Sequence, residues 1–434
     1  MNSVWINTMQ LPGFPSLEGD TKTDVLVIGG GLAGILTAHT LTQAGVECLL
    51  IEADAVCRGV TGNTTAKITS QHGLIYAKLR KEFGAEMAKL YWQANQDALA
   101  QYSTLCRNIP CEFERKDSYI YCTHPNRKLE QELEVLNCLN IPAEYTTRLP
   151  LPFPVHGAIR FPDQAQFHPL KFVSALLPEL NIREHTTASA IDGTVVHTDH
   201  GKIEAKSVIV ATHFPYLNRH GSYFLKLYQD RSYVLALENA QDVNGMYLGE
   251  GDDGLSFRNN GTLLLLGGGS HRTGKKSRGW SGLEEFYKRK YPDAQVKYRW
   301  ATQDCMSLDG VPYIGAYSKN TPNLYVATGF NKWGMTSSMV AANLLCDLIL
   351  EKKNLYAPLF SPSRTLMRPQ LAANALEATA NLLTPTAPRC PHLGCALKWN
   401  PHEHSWDCPC HGSRFDENGK LLDNPATGDL DSPP

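Results

Sequence analysis

The stretch from Thr23 to Glu52 constrains this chain more than any other. An apolar run of strand length, Thr23 to Ile28, leads directly into Gly29-Gly30-Gly31-Leu32-Ala33-Gly34. Helical sequence follows from Ile35 to Ala44, and then a second strand-like run from Glu47 to Glu52. A strand that feeds a helix through Gly-x-Gly-x-x-Gly predicts a β-α-β unit holding a dinucleotide. The glycines have separable roles. Gly29 makes the tight turn, Gly31 lets a pyrophosphate approach the backbone, and Gly34 lets the helix close on the strand. The helix N-terminus offers its positive dipole end to phosphate. Glu52, twenty-three positions after Gly29, is placed to accept from ribose hydroxyls. That acidic residue makes the pattern specific.

One nucleotide is expected rather than two. The other glycine cluster, Gly267 to Gly274, follows Leu263–Leu266 but lacks the spacing and opens no helix, so it reads as a strand end and turn. Three further segments favour FAD. The loop Arg58-Gly59-Val60-Thr61-Gly62-Asn63-Thr64-Thr65-Ala66-Lys67 can wrap pyrophosphate and flavin with donors from Arg58, Thr61, Thr64 and Thr65; a plain solvent-exposed turn is the alternative. Ser207–His213 is a third apolar strand, ending near Ala211 and Thr212. Asn323–Phe330 repeats the strand-then-glycine pattern, with Gly329 and Phe330 followed by Trp333, Gly334, Met335, Thr336 and a helix through Ile349. The N-terminus of that helix can face a flavin carbonyl that gathers negative charge on reduction.

A second dense feature lies at the other end. Cys390–Ser413 packs Cys390, Cys395, Cys408 and Cys410 with His392 and His411, whereas the other eight of the twelve cysteines are scattered. Thiolates and imidazoles so closely spaced point to a metal or cluster. Cys-x-His, fifteen residues, then Cys-x-x-His fits zinc poorly, since zinc sites usually space ligands by two to four residues. A zinc knuckle nevertheless stays open on spacing alone.

Composition excludes several classes. With 42% hydrophobic and 19% charged residues and a net charge of −2, the 434-residue chain lacks the basic surplus of a nucleic-acid binder. No apolar run reaches 18 residues, and Ser338–Leu350 is interrupted by Asn343 and Asp347, so no transmembrane segment is predicted. The N-terminus lacks the charged-then-apolar order of a secretory signal. The eight dispersed cysteines read as reduced, buried small hydrophobes, and the expected location is cytoplasmic.

The chain resembles the FAD-dependent oxidoreductases of the D-amino-acid oxidase and glycine oxidase superfamily, in the branch fused to a C-terminal Rieske [2Fe–2S] module. The segments that carry the resemblance are Val25–Gly34, Thr61–Gly73, Gln164–Leu170, Arg231–Val234, Trp300–Gly315 and Ala327–Thr336, together with Cys390–Ser413. It implies an α/β FAD-binding domain (Rossmann-like, glutathione-reductase type), a mixed β-sheet substrate domain, and a small all-β Rieske-like module. The FAD-dependent region is expected over 1–360, with its dinucleotide fold from about 23–75, 200–215 and 323–352. A linker with a short helix spans 361–389, and the module 390–434. The resemblance makes Cys390, His392, Cys408 and His411 the ligands of the cluster, two Cys on one iron and two His on the other. It pairs Cys395 with Cys410 in a disulfide. Ser413 is placed to donate to a cluster sulfur, while Phe415 stands where high-potential relatives carry a donor Tyr, which implies a lower potential. Rieske modules normally carry several strands before the first ligand, and this one has only the helix Leu371–Leu383 and the connector Thr384–Arg389. So small a module needs cluster, disulfide or a covering domain for its stability.

The middle of the chain carries no decisive motif. Apolar residues at steps of three and four predict one long helix over 77–106. Short β-like runs follow at Ser118–Thr123, Tyr233–Leu237, Met246–Leu248 and Thr262–Leu266, with a bend at Pro150–Pro154. Lys67 and His72, just after the flavin loop, either approach the flavin or lie at the surface. Gln164, Gln166 and His168 serve either catalysis or a helix start or turn. Arg231, Arg258, Arg272 and Tyr233 are either clamps for a carboxylate, since Arg offers a bidentate fork, or surface and sheet-edge residues. Trp333 reads as a flavin-packing residue. The expected function is oxidation of a small amine, amino acid or related substrate at the flavin, with electrons leaving singly through the cluster to a one-electron acceptor protein or quinone-like molecule. An electron-transfer component without an organic substrate, or an oxidase with a zinc-binding tail, are the alternatives.

Overall fold

Val25 to Ile28 are buried on both faces, as a continuous apolar run in a covered parallel sheet requires. The structure, a computed structural model, describes residues 2–217, 220–251, 254–364, 368–385 and 388–431. The strand Thr21–Ile28 pairs in parallel with Cys48–Ile51 and with Gly201–Val210. Leu324–Thr328 and Asn181–Arg183 extend the parallel array on either side, and Tyr313–Ala316 closes one edge antiparallel. The helices Leu32–Gln43 and Gly334–Ile349 pack together against this sheet and share its core. The first of them starts at Leu32 rather than Ile35, which puts Gly34 in its first turn. The strand expected over Ser207–His213 ends at Val210.

A nine-stranded mixed sheet stands beside it, running from Gln295–Ser307 through Leu227–Glu238, Leu263–Arg272, Ser256–Asn260, Met246–Gly249, Glu114–Cys122 and Gly157–Gln166 to Lys67–Ile68. The expected short runs fall inside these strands, several of which are longer than their sequence suggests. The Gly267–Gly269 cluster lies within a strand instead of ending one. A Cβ on Gly268 would stand 2.9 Å from Leu255 and 3.0 Å from Leu283, so the glycine admits two packed side chains. The turn comes later, at Thr273–Gly274. The single helix expected over 77–106 is two, Tyr76–Phe83 and Ala85–Leu105, because Gly84 at φ +90° closes the first. Seven of the eight dispersed cysteines are buried; Cys138, the last residue of the helix Arg127–Cys138, is exposed, which corrects the expectation for that one.

After Ile349 the chain leaves the core through Arg364, whose guanidinium forms a buried ion pair with Asp309. The helix Pro369–Leu383 follows, and then four short antiparallel strands, Lys398–Asn400, Ser405–Asp407, Arg414–Asp416 and Leu421–Asp423. The apolar core of this module is small: four cysteines, Leu397, Phe415 and Ala426. Among the described residues no helix is long and apolar enough to cross a membrane.

Candidate functional site

The dinucleotide turn is a close fit that only glycine satisfies. A Cβ on Gly34 would lie 1.9 Å from the Gly29 carbonyl oxygen, and one on Gly29, at φ +113°, would lie 2.6 Å from the Ala211 carbonyl oxygen. Gly31 caps the helix without a side chain, and the Leu32 N–H donates to Thr61 Oγ1 at 2.9 Å. Glu52 accepts from the Gly30 N–H at 2.6 Å and the Asp54 N–H at 3.0 Å. Burial raises its pKa, and these N–H groups oppose the rise. Turn, helix end and carboxylate together fit the pyrophosphate and ribose of FAD.

The following loop is held from outside by a helix that sequence reasoning missed, Val4–Thr8. Ser3 Oγ donates to the Gly62 carbonyl, and the Trp5 indole N–H donates to the Thr64 carbonyl at 2.7 Å. From the other side Arg258 donates to the Thr65 and Ala66 carbonyls, at 2.9 Å each, with its guanidinium over the Trp5 ring. Arg258 therefore serves the loop and offers no free fork to a substrate carboxylate. Arg58 is exposed and makes no contact that fixes its role.

Lys67, His72, Trp333 and Thr336 reach the region between the two sheets. The His72 ring stacks on Trp333 at 4.9 Å. Its Nδ1 lies 2.7 Å from the Tyr91 hydroxyl, and its Nε2 lies 2.8 Å from the Thr69 carbonyl and 3.1 Å from Thr336 Oγ1. Burial pushes its pKa down to about 3, so the ring is neutral. Lys67 Nζ donates to the Tyr247 carbonyl and to Ser256 Oγ. Burial first, and then the Arg258 charge, push its pKa down to about 7. Gly329, at φ +71°, and Phe330 make the turn before Trp333, which precedes a helix capped by no side chain of its own; the Met335 carbonyl accepts from Tyr102. Gln164 and Gln166 tie strands together through Ser70 and Asn259. His168 starts a helix: its Nδ1 accepts from the Lys171 N–H at 3.2 Å, and its Nε2 meets Thr8 Oγ1 at 3.0 Å. The helix-start reading holds for it.

In the module, Cys395 and Cys410 are joined by a disulfide. The Cys408 sulfur lies within 4.8 Å of both, but two members of that trio are bound to each other and so do not form a metal site with it. Cys390 and Cys408 are buried, and a hydrogen bond between them lowers the Cys390 pKa while raising that of Cys408; Ser413 and the His392 and Leu393 N–H groups also favour the Cys390 thiolate. Burial pushes His392 down to about 4 and His411 down to about 3, so both rings are neutral, the form that binds metal. The two rings stand edge to face with centroids 4.9 Å apart. Among the described residues the buried His411 Nδ1 has no hydrogen-bond partner, while the Phe224 carbonyl holds the ring. Two buried cysteine sulfurs and two neutral imidazoles fit a [2Fe–2S] cluster, whose iron would displace the thiol protons.

The histidine edge of this site is covered in part: His411 is buried and His392 half-buried. Phe214 packs edge-on against His392 and His411, with centroids 6.3 and 6.1 Å away, and Phe224 against His411 at 6.4 Å. Phe214 lies three residues after Ala211, the residue in contact with the dinucleotide turn at Gly29. Asn424 Nδ2 donates to the Thr212 carbonyl at 2.6 Å and to the Phe214 carbonyl at 3.1 Å. Arg231, expected as a possible substrate clamp, is instead buried in an ion pair with Glu403 of the module, its Nε 2.8 Å from Oε1. Arg414 adds contacts to Glu403 at 3.0 Å, Asp407 at 2.9 Å and Asp423 at 3.0 Å. Burial would raise the Glu403 pKa, but the Arg231 hydrogen bonds and the charges of Arg231 and Arg414 hold it at about 2. Arg272 likewise donates to the module, to the Pro409 carbonyl. Phe214, Gln229, Gln303, Glu403 and Asn424 carried no sequence signal, since their role exists only across the junction.

Comparisons with known proteins agree with these two sites. The pattern of the FAD dependent oxidoreductase family matches residues 24–348, and that of the Rieske [2Fe–2S] domain matches residues 379–434. The chain is 36% identical, over 98% of its own length and 96% of the relative's, to YhfW of Bacillus subtilis (strain 168), a protein named for a Rieske 2Fe–2S iron–sulfur site. A local stretch of 37 residues, 8% of this chain and 21% of the relative, is 54% identical to the cytochrome b6-f complex iron–sulfur subunit of Nostoc punctiforme. The fold is similar to that of glycine oxidase from Geobacillus kaustophilus, with a TM-score of 0.67 at 19% identity, covering 80% of this chain and 99% of the other. The chain binds FAD and, through its C-terminal module, a [2Fe–2S] cluster: it belongs to the FAD dependent oxidoreductase family and carries a Rieske domain at its C-terminal end.

Proposed function

We propose that this oxidoreductase oxidises a small amine, amino acid or related compound and passes the electrons singly through its cluster to an external one-electron acceptor, a protein or a quinone-like molecule. FAD supplies two-electron oxidation when bound, and the cluster supplies one-electron carriage. The observation that supports this coupling is the segment Ala211–Phe214, which touches the dinucleotide turn at one end and the His392 and His411 rings at the other. Phe214 and Phe224 cover part of the histidine edge. Gly29, Gly31, Gly34, Glu52, Thr61, Thr64, Thr65, Ala211 and Thr212 hold the nucleotide, with Arg58 at the rim. Gly329, Phe330, Trp333, Gly334, Met335 and Thr336 back the flavin ring. Lys67 is the group in this region with a pKa suited to holding or releasing a proton near neutrality. The glycine oxidase fold favours an amine or amino acid as substrate. Seven buried free cysteines outside the module suit a reducing, cytoplasmic setting.

The test is an anaerobic titration of the full chain with a panel of amines, amino acids and 2-hydroxy acids, followed by flavin absorbance and by EPR of the cluster. One compound class is expected to bleach the flavin and then produce the EPR signal of a reduced, His-ligated [2Fe–2S] centre. If nothing in the panel bleaches it while a reduced ferredoxin does, the protein is an electron-transfer component and the proposal fails. Stoichiometric zinc in place of two irons sinks the electron outlet.

A further inference from the structure

The loop that carries Cys408 and His411 is built in part by the other domain. Four consecutive carbonyls accept from side chains of the nine-stranded sheet. Arg272 Nε donates to Pro409 at 3.0 Å and its Nη2 to Cys410 at 3.0 Å; Gln229 Nε2 donates to His411 at 2.9 Å, and Gln303 Nε2 to Gly412 at 2.8 Å. The fit is close on both sides. A Cβ on Gly274 would lie 2.7 Å from the Pro409 nitrogen, and one on Gly412 would lie 2.7 Å from Gln229.

Of these three side chains Arg272 alone is charged. Its remaining nitrogen, Nη1, donates to Asn374 Oδ1 at 2.9 Å, and its guanidinium lies 4.9 Å from the Tyr228 ring centroid. Among the described residues no carboxylate lies within ion-pair distance of it, and Glu377, which acts on it from further away, is paired with Lys275. A fixed, partly desolvated positive charge thus stands beside the ligand loop. Reduction of a [2Fe–2S] cluster adds one negative charge, and nearby net charge sets its potential.

We propose that Arg272 is a positioning residue for the cluster, orienting the loop of Cys408 and His411 and holding a positive charge beside it, so that the substrate-domain sheet sets the cluster's reduction potential. The inference rests on the cluster of the proposed function, and goes beyond it by naming the residue outside the module that tunes the centre.

The experiment compares the wild-type full chain with Arg272→Met, Arg272→Lys and Gln229→Leu by iron content, EPR and redox titration of the cluster. Arg272→Met is expected to keep two irons and disfavour reduction about tenfold, a fall of about 59 mV for one electron. Arg272→Lys restores most of the potential through its charge but shifts the EPR g values, because an ammonium cannot reproduce the fork. Gln229→Leu shifts the g values with a smaller change in potential. An Arg272→Met protein with wild-type potential overturns the proposal. So does an Arg272→Lys protein shifted as far as Arg272→Met, or loss of iron from both, which would make the arginine a structural tie only. A wild-type chain without two irons is a different result: it overturns the functional reading and this inference with it.

Discussion

The dinucleotide cradle and the cluster module both use short glycine-containing loops to present backbone and side-chain groups to a cofactor. They differ in where their support comes from. Gly29, Gly30, Gly31, Gly34 and Glu52 lie within or at the end of one β-α-β unit, and the Glu52 carboxylate takes its N–H partners from Gly30 and Asp54. The ligand loop Pro409–Gly412 takes its carbonyl partners from Gln229, Arg272 and Gln303, more than a hundred residues away. Its domain has an apolar core of seven buried residues, four of them cysteines. A module so reduced cannot offset the chain entropy of its loops with its own burial. The covering sheet takes over the role of the strands it lacks.

The strongest way to break this comparison is to separate the two regions. A fragment ending at Arg364 is expected to fold and bind FAD stoichiometrically, because its core and both cradle strands are intact. A fragment from Arg368 onward is expected to hold essentially no iron, since the partners of four ligand-loop carbonyls are gone. Iron content and near-UV circular dichroism decide the matter. Two irons per chain in the isolated module would show that it needs no covering sheet.

Single residues sharpen the same contrast with smaller effects. Gly34→Ala drives a Cβ to 1.9 Å from backbone, so FAD binding is expected to fall at least a hundredfold, or about 2.7 kcal/mol, while iron is retained. Gly412→Ala forces φ +87° on a residue with a Cβ that meets Gln229 at 2.7 Å. It should lose iron and retain FAD, because the added Cβ meets Gln229 and not the dinucleotide turn. Flavin and iron stoichiometry on the two purified variants give the result. Parallel loss of both cofactors in either variant would mean that the sites are one cooperative unit.

What was legible in the sequence follows the same division. The cradle could be read because its physics is local: spacing fixes turn, helix end and acidic residue without reference to the rest of the chain. The spacing Cys390-x-His392 and Cys408-x-x-His411 pointed to the Rieske domain for the same reason. The candidate clamps were misread because an arginine in a strand shows its chemistry but not its partner. Arg231 meets Glu403, Arg272 meets Pro409 and Cys410, and Arg258 meets Thr65 and Ala66. The Val4–Thr8 helix was missed because five residues are too few for a periodicity. Gly84 interrupts a helical face whose apolar spacing continues unbroken across it, so only its φ of +90° reveals the break.

The junction itself can be weakened without touching either cofactor. Arg231→Met leaves the buried Glu403 carboxylate with Arg414 as its remaining cation among the described residues, and is expected to cost about 3 kcal/mol. The double change Arg231→Met with Glu403→Met removes both charges and should recover part of that loss. Thermal unfolding and cleavage in the 384–389 connector measure it. A double variant no more stable than the single one would place the cost in lost packing and not in an unpaired charge.

Acid gives the mildest and most specific probe. Glu403 is nearly buried and its pKa is lowered from 4.5 to about 2, so the folded chain holds this group ionised where the unfolded chain would protonate it. Its contribution is complete above about pH 4.5 and is lost as the pH falls toward about 2, with a ceiling of about 3 kcal/mol. Other carboxylates titrate over the same range, so the wild-type curve alone does not isolate it. Glu403→Gln has no charge to lose there. Its stability should therefore start lower at pH 6 and fall less steeply between about pH 5 and pH 2. Equal slopes for the two proteins would mean that Glu403 is not held ionised by Arg231 and Arg414, and the junction would then rest on its uncharged contacts, those of Gln229, Gln303 and Asn424 among them.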